Sequence, residues 1–297
     1  MTSSERLTLA EIAALAAIVV IWGINNAAAM IATEVLPPLL MASLRFVIAG
    51  LLLVPFLRPP FPNPKTLAVL VLLGGPVHFG LIYVGYWLAE DLSPFVVAQQ
   101  LWIPFTALVA FLLLGERLKR LAVAGLVVAF LGVAWMTADP RAFRDWLPIL
   151  IGLVAGLAWA VCTVLARRST GVPPLKMQAL LAWGSAPVLI AGSALFETGQ
   201  WQAVQRADLL VWACVLWAAL VSSVFATALL FWLVQRREAG RVTPYLLATP
   251  LVSCAIGVAV LGDVLTPQIL AGGAVAMAGV ALVALAERGL RAGAVKG

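Results

Sequence analysis

Residues 94–114 read PFVVAQQLWIPFTALVAFLLL, without a single formal charge, and close on the turn Gly115-Glu116-Arg117. Coiled as a helix at 1.5 Å per residue, such a run crosses a hydrocarbon core about 30 Å thick. Lipid offers no partner to backbone N–H and C=O groups, so only helices and closed barrels span it. The alternating ~10-residue pattern of barrel strands is absent. Similar runs recur along the chain, and we read ten: about 9–31, 38–57, 66–88, 94–114, 120–137, 147–166, 175–196, 209–234, 243–261 and 267–286. Composition agrees, with 63% hydrophobic and 11% charged residues and a mean hydropathy of +1.06. Soluble proteins carry about 25% charged residues. The expected fold class is an all-α integral membrane protein with ten transmembrane helices. Connections such as Pro37-Pro38, Arg58-Pro59-Pro60, Asp91-Leu92-Ser93-Pro94, Asp139-Pro140, Pro173-Pro174 and Thr266-Pro267 are short and carry turn chemistry. None is long enough for a soluble domain. The first span lacks a separate cleavage region and is read as mature protein, not as a signal peptide.

Charge sets the expected orientation. Fifteen of the 19 Lys and Arg residues fall on the side holding both termini: Arg6; Arg58 and Lys65; Arg117, Lys119 and Arg120; Arg167, Arg168 and Lys176; Arg236, Arg237 and Arg241; Arg288, Arg291 and Lys296. The other side has Arg141, Arg144 and Arg206, and Arg45 lies inside a span. The positive-inside rule makes the richer side cytoplasmic. The net charge of +6 follows from this topology and calls for no nucleic-acid partner. Cys162, Cys214 and Cys254 all fall within spans, without C-x-x-C or Cys/His spacing, and are expected to pack. No metal site or cofactor is expected.

The chain repeats itself. Ile21-Trp22-Gly23 leads to Pro37-Pro38-Leu39 and Met41; Ala158-Trp159-Ala160 leads to Pro173-Pro174-Leu175 and Met177. Ser93-Pro94-Phe95, Leu114-Gly115-Glu116, Gly125 and Gly132-Val133-Ala134 correspond to Thr243-Pro244-Tyr245, Leu261-Gly262-Asp263, Gly272 and Gly279-Val280-Ala281. The halves are therefore 1–140 and 147–290, five spans each, within one integral membrane unit. Five is odd, so the second half enters from the opposite side. Such inverted repeats characterise secondary transporters, whose substrate sits near the midplane between them.

Trp22-Gly23, the Pro-Pro-Leu start of span two, Leu44-Arg45-Phe46 and Gly115-Glu116-Arg117, with the five-plus-five organisation, resemble the drug/metabolite transporter superfamily in its EamA-type ten-helix branch. Within the branch the chain looks most like the YddG-type exporters of aromatic amino acids. The resemblance implies export of small metabolites, here amino acids, across a bacterial inner membrane. Gly262-Asp263-Val264 departs from the Gly-Glu-Arg turn, which puts an equal role for the two turns in doubt.

Polar residues are costly in hydrocarbon and mark candidate sites. His78, the one histidine, follows Gly74-Gly75-Pro76 in span three and reads as a substrate hydrogen-bond donor or proton-sensitive gate; a neutral histidine satisfied by a neighbouring helix is the alternative. Gln99 and Trp102 share a helical face in span four and are expected to line the path. Gln100 is assigned an interhelical hydrogen bond. Trp22 with Asn25 and Asn26, and Trp159 with Thr163, occupy the first helix of each half. Tyr83, Trp183 and Tyr245 are further substrate-binding candidates; Trp87 fits an interfacial belt as well. For Arg45 the favoured role is structural, tying down outer helix ends through backbone carbonyls, with a substrate carboxylate as the rival. Candidate flexing points are Gly23, Gly74, Gly75, Pro76, Pro104 and Pro250.

Several classes are disfavoured. Glu11, Glu34, Glu90, Asp91, Glu116 and Asp263 all lie near span ends, so a central carboxylate relay is not expected. No G-x-x-x-x-G-K-[ST] loop is present. An intramembrane enzyme would need clustered catalytic groups at one interface. The expected function is amino-acid export by alternating access. Nucleoside, sugar and multidrug export remain open, as do the oligomeric state and proton coupling.

Overall fold

Helices form where the apolar runs place them. The computed structural model describes residues 8–115, 119–166, 172–236 and 245–294. Its main helices are α1 (Leu9–Val35), α2 (Pro38–Phe56), α3 (Pro64–Leu88), α4 (Leu92–Leu114), α5 (Arg120–Thr137), α6 (Trp146–Ala166), α7 (Pro174–Phe196), α8 (Leu209–Leu230, continuing to Arg236), α9 (Thr249–Leu261) and α10 (Pro267–Ala294). A short helix, Gln200–Arg206, lies between α7 and α8. Among the described residues nine helices are long and apolar enough to cross a membrane, and α9 is a shorter apolar helix. Among the described residues of the predicted span 243–261, the continuous helix is Thr249–Leu261. Leu247 and Ala248 form a turn ahead of it, and Pro250 is confined to its first turn, where a missing N–H costs nothing. Thr243 and Pro244 lie outside the described residues, as do Arg6, Glu116, Arg117, Arg167, Arg168, Arg237, Arg241 and Lys296 from the turn and charge readings.

Local chemistry sets the helix ends. Thr8 and Glu11 form a reciprocal capping box at α1. Gly115 and Gly262, with φ of 66° and 82°, end α4 and α9 in the left-handed region that glycine adopts without strain. Three stretches widen to π geometry: Leu73–Val77 in α3, Trp217–Ala226 in α8 and Gly257–Leu261 in α9. The first contains Pro76, whose ring and missing N–H disrupt an ordinary turn.

Helices α5 and α10 make the most direct contact between the halves. A Cβ added to Gly125 would lie 2.7 Å from Gly279 O, and one added to Gly272 would lie 2.9 Å from Gly132 O. Gly132 likewise meets the Ala276 backbone, and Gly279 the Ala129 backbone. In the repeat register Gly125 corresponds to Gly272 and Gly132 to Gly279, so each contact has its mate with the halves exchanged. Rising numbers on α5 meet falling numbers on α10, which makes the pair antiparallel and its two-fold perpendicular to both. This is the relation an inverted repeat demands. Small residues are required because, in lipid, helices associate by close packing and not by exclusion of water. Outward-facing side chains such as Leu112, Leu131 and Leu209 are 62–86% exposed and form the lipid-facing surface.

Acids at one face tie helix starts to distant segments. Asp263 accepts from Leu92 N and Ser93 N at 3.1 and 2.8 Å, and from the Ser93 hydroxyl, so the acid of the aberrant Gly-Asp-Val turn caps α4. Asp145 accepts from Glu90 N and Asp91 N, and Glu197 from Leu39 N and Leu40 N. Burial pushes the Asp145 and Asp91 carboxyls above the usual range. Asp139 accepts from the Thr266 hydroxyl at 2.6 Å, which holds its carboxyl below that range.

Candidate functional site

A cavity of about 550 Å³ lies between the halves, lined by residues of α1–α4 and α6–α9. It runs to the α6 and α7 ends holding Ala166, Met177 and Gln178. The connections at the opposite face contribute no lining residue; near Arg45, Tyr83 and Tyr86 the cavity stops. It is thus one-sided. Arg45 is the one charged lining residue, and no Asp or Glu reaches the wall among the described residues.

Two hydrogen-bonded chains order the deep end. In the first, Gln99 Nε2 donates to Tyr86 Oη at 3.2 Å, Tyr86 donates to Asn26 Oδ1 at 2.9 Å, and Asn26 Nδ2 donates to Ser253 Oγ at 3.0 Å. This chain joins α4, α3, α1 and α9. In the second, Arg45 Nε donates to Ser223 Oγ at 2.8 Å and Nη1 to Tyr83 Oη at 3.2 Å. Ser223 in turn donates to Ala218 O, a carbonyl inside the π stretch of α8. Such stretches recur at functional sites because they leave carbonyls and side chains displaced from the ordinary helical pattern.

The cavity wall is aromatic at mid-depth. His78 lies 4.8 Å from the Trp159 ring, tilted 30°, and 4.7 Å edge-on from Phe79. Its Nδ1 is 2.9 Å from Ala155 O. A carbonyl only accepts, so neutral His78 carries its proton on Nδ1 and turns an acceptor, Nε2, to any ligand. In the neutral ring the one donor is spent on α6. Asn25 Oδ1 and Thr249 Oγ1, both buried at the wall, have no hydrogen-bond partner among the described residues.

Eight of the ten sequence candidates come together here: Trp22, Asn26, His78, Tyr83, Gln99, Trp102, Trp159 and Thr163. Trp183 and Tyr245 do not. The Trp183 indole donates to Gly50 O at 2.9 Å and clips α7 to α2, and Tyr245 is half-exposed beyond the wall. Gln100 also departs from expectation. It lines the cavity and turns back to Val96 O on its own helix, because α4 breaks at Gln100-Leu101 and the break points both amides inward. Arg45 binds hydroxyls, not backbone carbonyls. Tyr86, Ser222, Ser223 and Thr249 belong to the wall without having been named as site residues. The Ser222-Ser223 pair inside an apolar span was the available signal, as was the i, i+3 spacing of Tyr83 and Tyr86.

A profile of the EamA-like transporter family matches this chain twice, over residues 9–138 and 146–285. The chain belongs to the EamA-like transporter family. Among its relatives, a Salmonella typhimurium protein named as a probable amino-acid metabolite efflux pump is 27% identical, the match covering 94% of this chain and 96% of that one. An uncharacterized transporter of Bacillus subtilis, YvbV, is 31% identical over 95% and 93% of the two chains. A protein of known crystal structure superposes with a TM-score of 0.60 at 21% identity, covering 93% of this chain and 97% of that chain. That likeness concerns the fold. Family and helices together make this a multi-pass membrane transporter for a small molecule.

Proposed function

We propose that the protein exports amino acids, aromatic and other neutral ones, across the bacterial inner membrane by alternating access, with both termini in the cytoplasm. The observation that carries this reading is the one-sided cavity between two inverted halves, walled by Trp22, Trp102 and Trp159 and ordered by hydrogen-bonded amides and hydroxyls. A flat aromatic wall suits an amino-acid side chain, and an acceptor such as His78 Nε2 suits its ammonium group. The efflux-pump name of the Salmonella relative supports the same cargo. The positive-inside bias supports an open end at the cytoplasm, where an exporter loads. The halves, 1–140 and 147–290, act as one integral unit, and rocking at Gly23, Gly74, Gly75 and the proline breaks exchanges access.

The test is flux of labelled amino acids from proteoliposomes, with and without a pH gradient. Saturable flux of several neutral amino acids is expected, reduced at least tenfold by Trp102→Ala and His78→Ala. An intact preparation that moves none of them overturns the amino-acid assignment and leaves another small metabolite as cargo.

A further inference from the structure

Arg45 is a buried cation without a counter-ion among the described residues. It is 7% exposed, and its guanidinium sits 4.6 Å above the Phe79 ring at the closed end of the cavity. Two of its five N–H groups are used, toward Ser223 and Tyr83. Both partners are neutral. No Asp or Glu lines the cavity among the described residues, and Glu197 and Asp263 are spent on helix starts, the first on Leu39 and Leu40, the second on Leu92 and Ser93. The one ion pair among the described residues, Arg144 with Glu90, is exposed at the outer face. Burying a charge unpaired is costly, and proteins almost always supply a partner.

Packing does not require a cation at this position. In the repeat register set by Pro37-Pro38-Leu39 and Pro173-Pro174-Leu175, Arg45 corresponds to Leu181, which lines the same cavity and carries no charge. The deep end thus holds a forked donor with unused N–H groups facing an acid-free space. A guanidinium in that state matches a carboxylate, which accepts two parallel hydrogen bonds from it.

We propose that Arg45 is the carboxylate-binding residue of the cavity, so that the cargo class is carboxylates, zwitterionic or anionic, and not organic cations, nucleosides or sugars. The inference rests on the cavity being the transport site and narrows what enters it. A bound carboxylate completes the neutralisation that Ser223 and Tyr83 begin. His78, edge-on to the same Phe79 ring, lines the same cavity and is left to meet the rest of the molecule. Because Arg45 belongs to the first half and Ser223 to the second, the anion binds where the two halves touch.

The experiment uses the purified full chain in detergent and measures the shift in melting temperature with phenylalanine, its methyl ester, its amide, 3-phenylpropanoate and 2-phenylethylamine, and with the leucine series. Carboxylates are expected to stabilise saturably, and the ester, amide and amine to need about 10- to 100-fold higher concentrations. Arg45→Gln, where it folds, abolishes the distinction, and Arg45→Lys retains part of it. If Arg45→Gln does not fold, the wild-type series decides alone. Esters and amides matching their parent acids overturn the inference, as does an Arg45→Gln protein that still discriminates. So does a folded wild-type protein that no carboxylate stabilises. An arm with chloride as sole anion separates an inorganic counter-ion from cargo: saturation by chloride with no competition from carboxylates also overturns it. Stabilisation by 3-phenylpropanoate without phenylalanine upholds the Arg45 site while defeating amino-acid export.

Discussion

The α5–α10 seam and the cavity wall are both made by the same two repeats, and they have diverged to opposite degrees. At the seam, exchange of the halves leaves the chemistry unchanged: Gly125 and Gly132 meet Gly279 and Gly272 in mated pairs. At the wall the mates differ. In the register of the turns at Gln100-Leu101 and Leu247-Ala248, Gln99, Gln100 and Trp102 correspond to Leu246, Leu247 and Thr249; Asn25 and Asn26 correspond to Cys162 and Thr163, and Arg45 to Leu181. Backbone-to-backbone contact tolerates one residue type on either helix, so duplication and symmetry persist there. A cavity that faces one substrate in two orientations of the protein gains from unlike ends. Equivalent positions lie at opposite depths, and divergence has put the amides and the guanidinium toward the closed end and Leu181 and Leu246 toward the open one.

The sharpest way to break this comparison is to add bulk at the seam. Gly279→Leu and Gly132→Leu each drive a side chain into the partner backbone, beyond the ordinary overpacking cost of about 1–3 kcal/mol. Loss of the monodisperse folded species is expected, or a fall in melting temperature of about 10 °C, similar for both variants. A tolerated substitution in one half alone would refute the symmetry of the seam. At the wall, Tyr86→Phe keeps the edge-on contact with Phe95 but strands Gln99 and Asn26. Melting should barely move while KM for the transported substrate rises about three- to tenfold. The smallest effect concerns Asp139, which joins the end of α5 to the start of α10 through Thr266. Its carboxyl is depressed in the folded state, so the stabilisation is present above the unfolded value near 4 and fades as pH falls through the lower folded one. Asp139→Asn should therefore melt below wild type at pH 7, with the gap closing below about pH 4.

Span number and the inverted repeat were legible because hydrophobic run length and glycine spacing are local quantities. Most of the wall was legible for a related reason: a lone His, paired amides or a Trp amid uniformly apolar sequence stands out. Three features were not. The turn inside α4 aimed Gln99 and Gln100 at one space, although adjacent residues on an unbroken helix diverge by about 100°. Asp263 looked like a degraded turn and is instead a cap for a helix start in the other half, a pairing that sequence distance conceals. Trp183 and Tyr245 were drawn in by residue type alone; the Trp183 N–H found a backbone acceptor between α2 and α7, a three-dimensional fact.

The seam also bears on how the protein is made. Its two faces belong to the last helix of each half, so the glycine stripe of α5 is synthesised long before the stripe of α10 that covers it. At translation rates of about 5–20 residues per second, the first half waits in the bilayer for tens of seconds or less with that stripe open to lipid or to a neighbouring chain. The final helix is then the clasp of the whole molecule, and a nascent chain truncated before Pro267 would leave the membrane holding an adhesive fragment suited to pairing with another copy of itself.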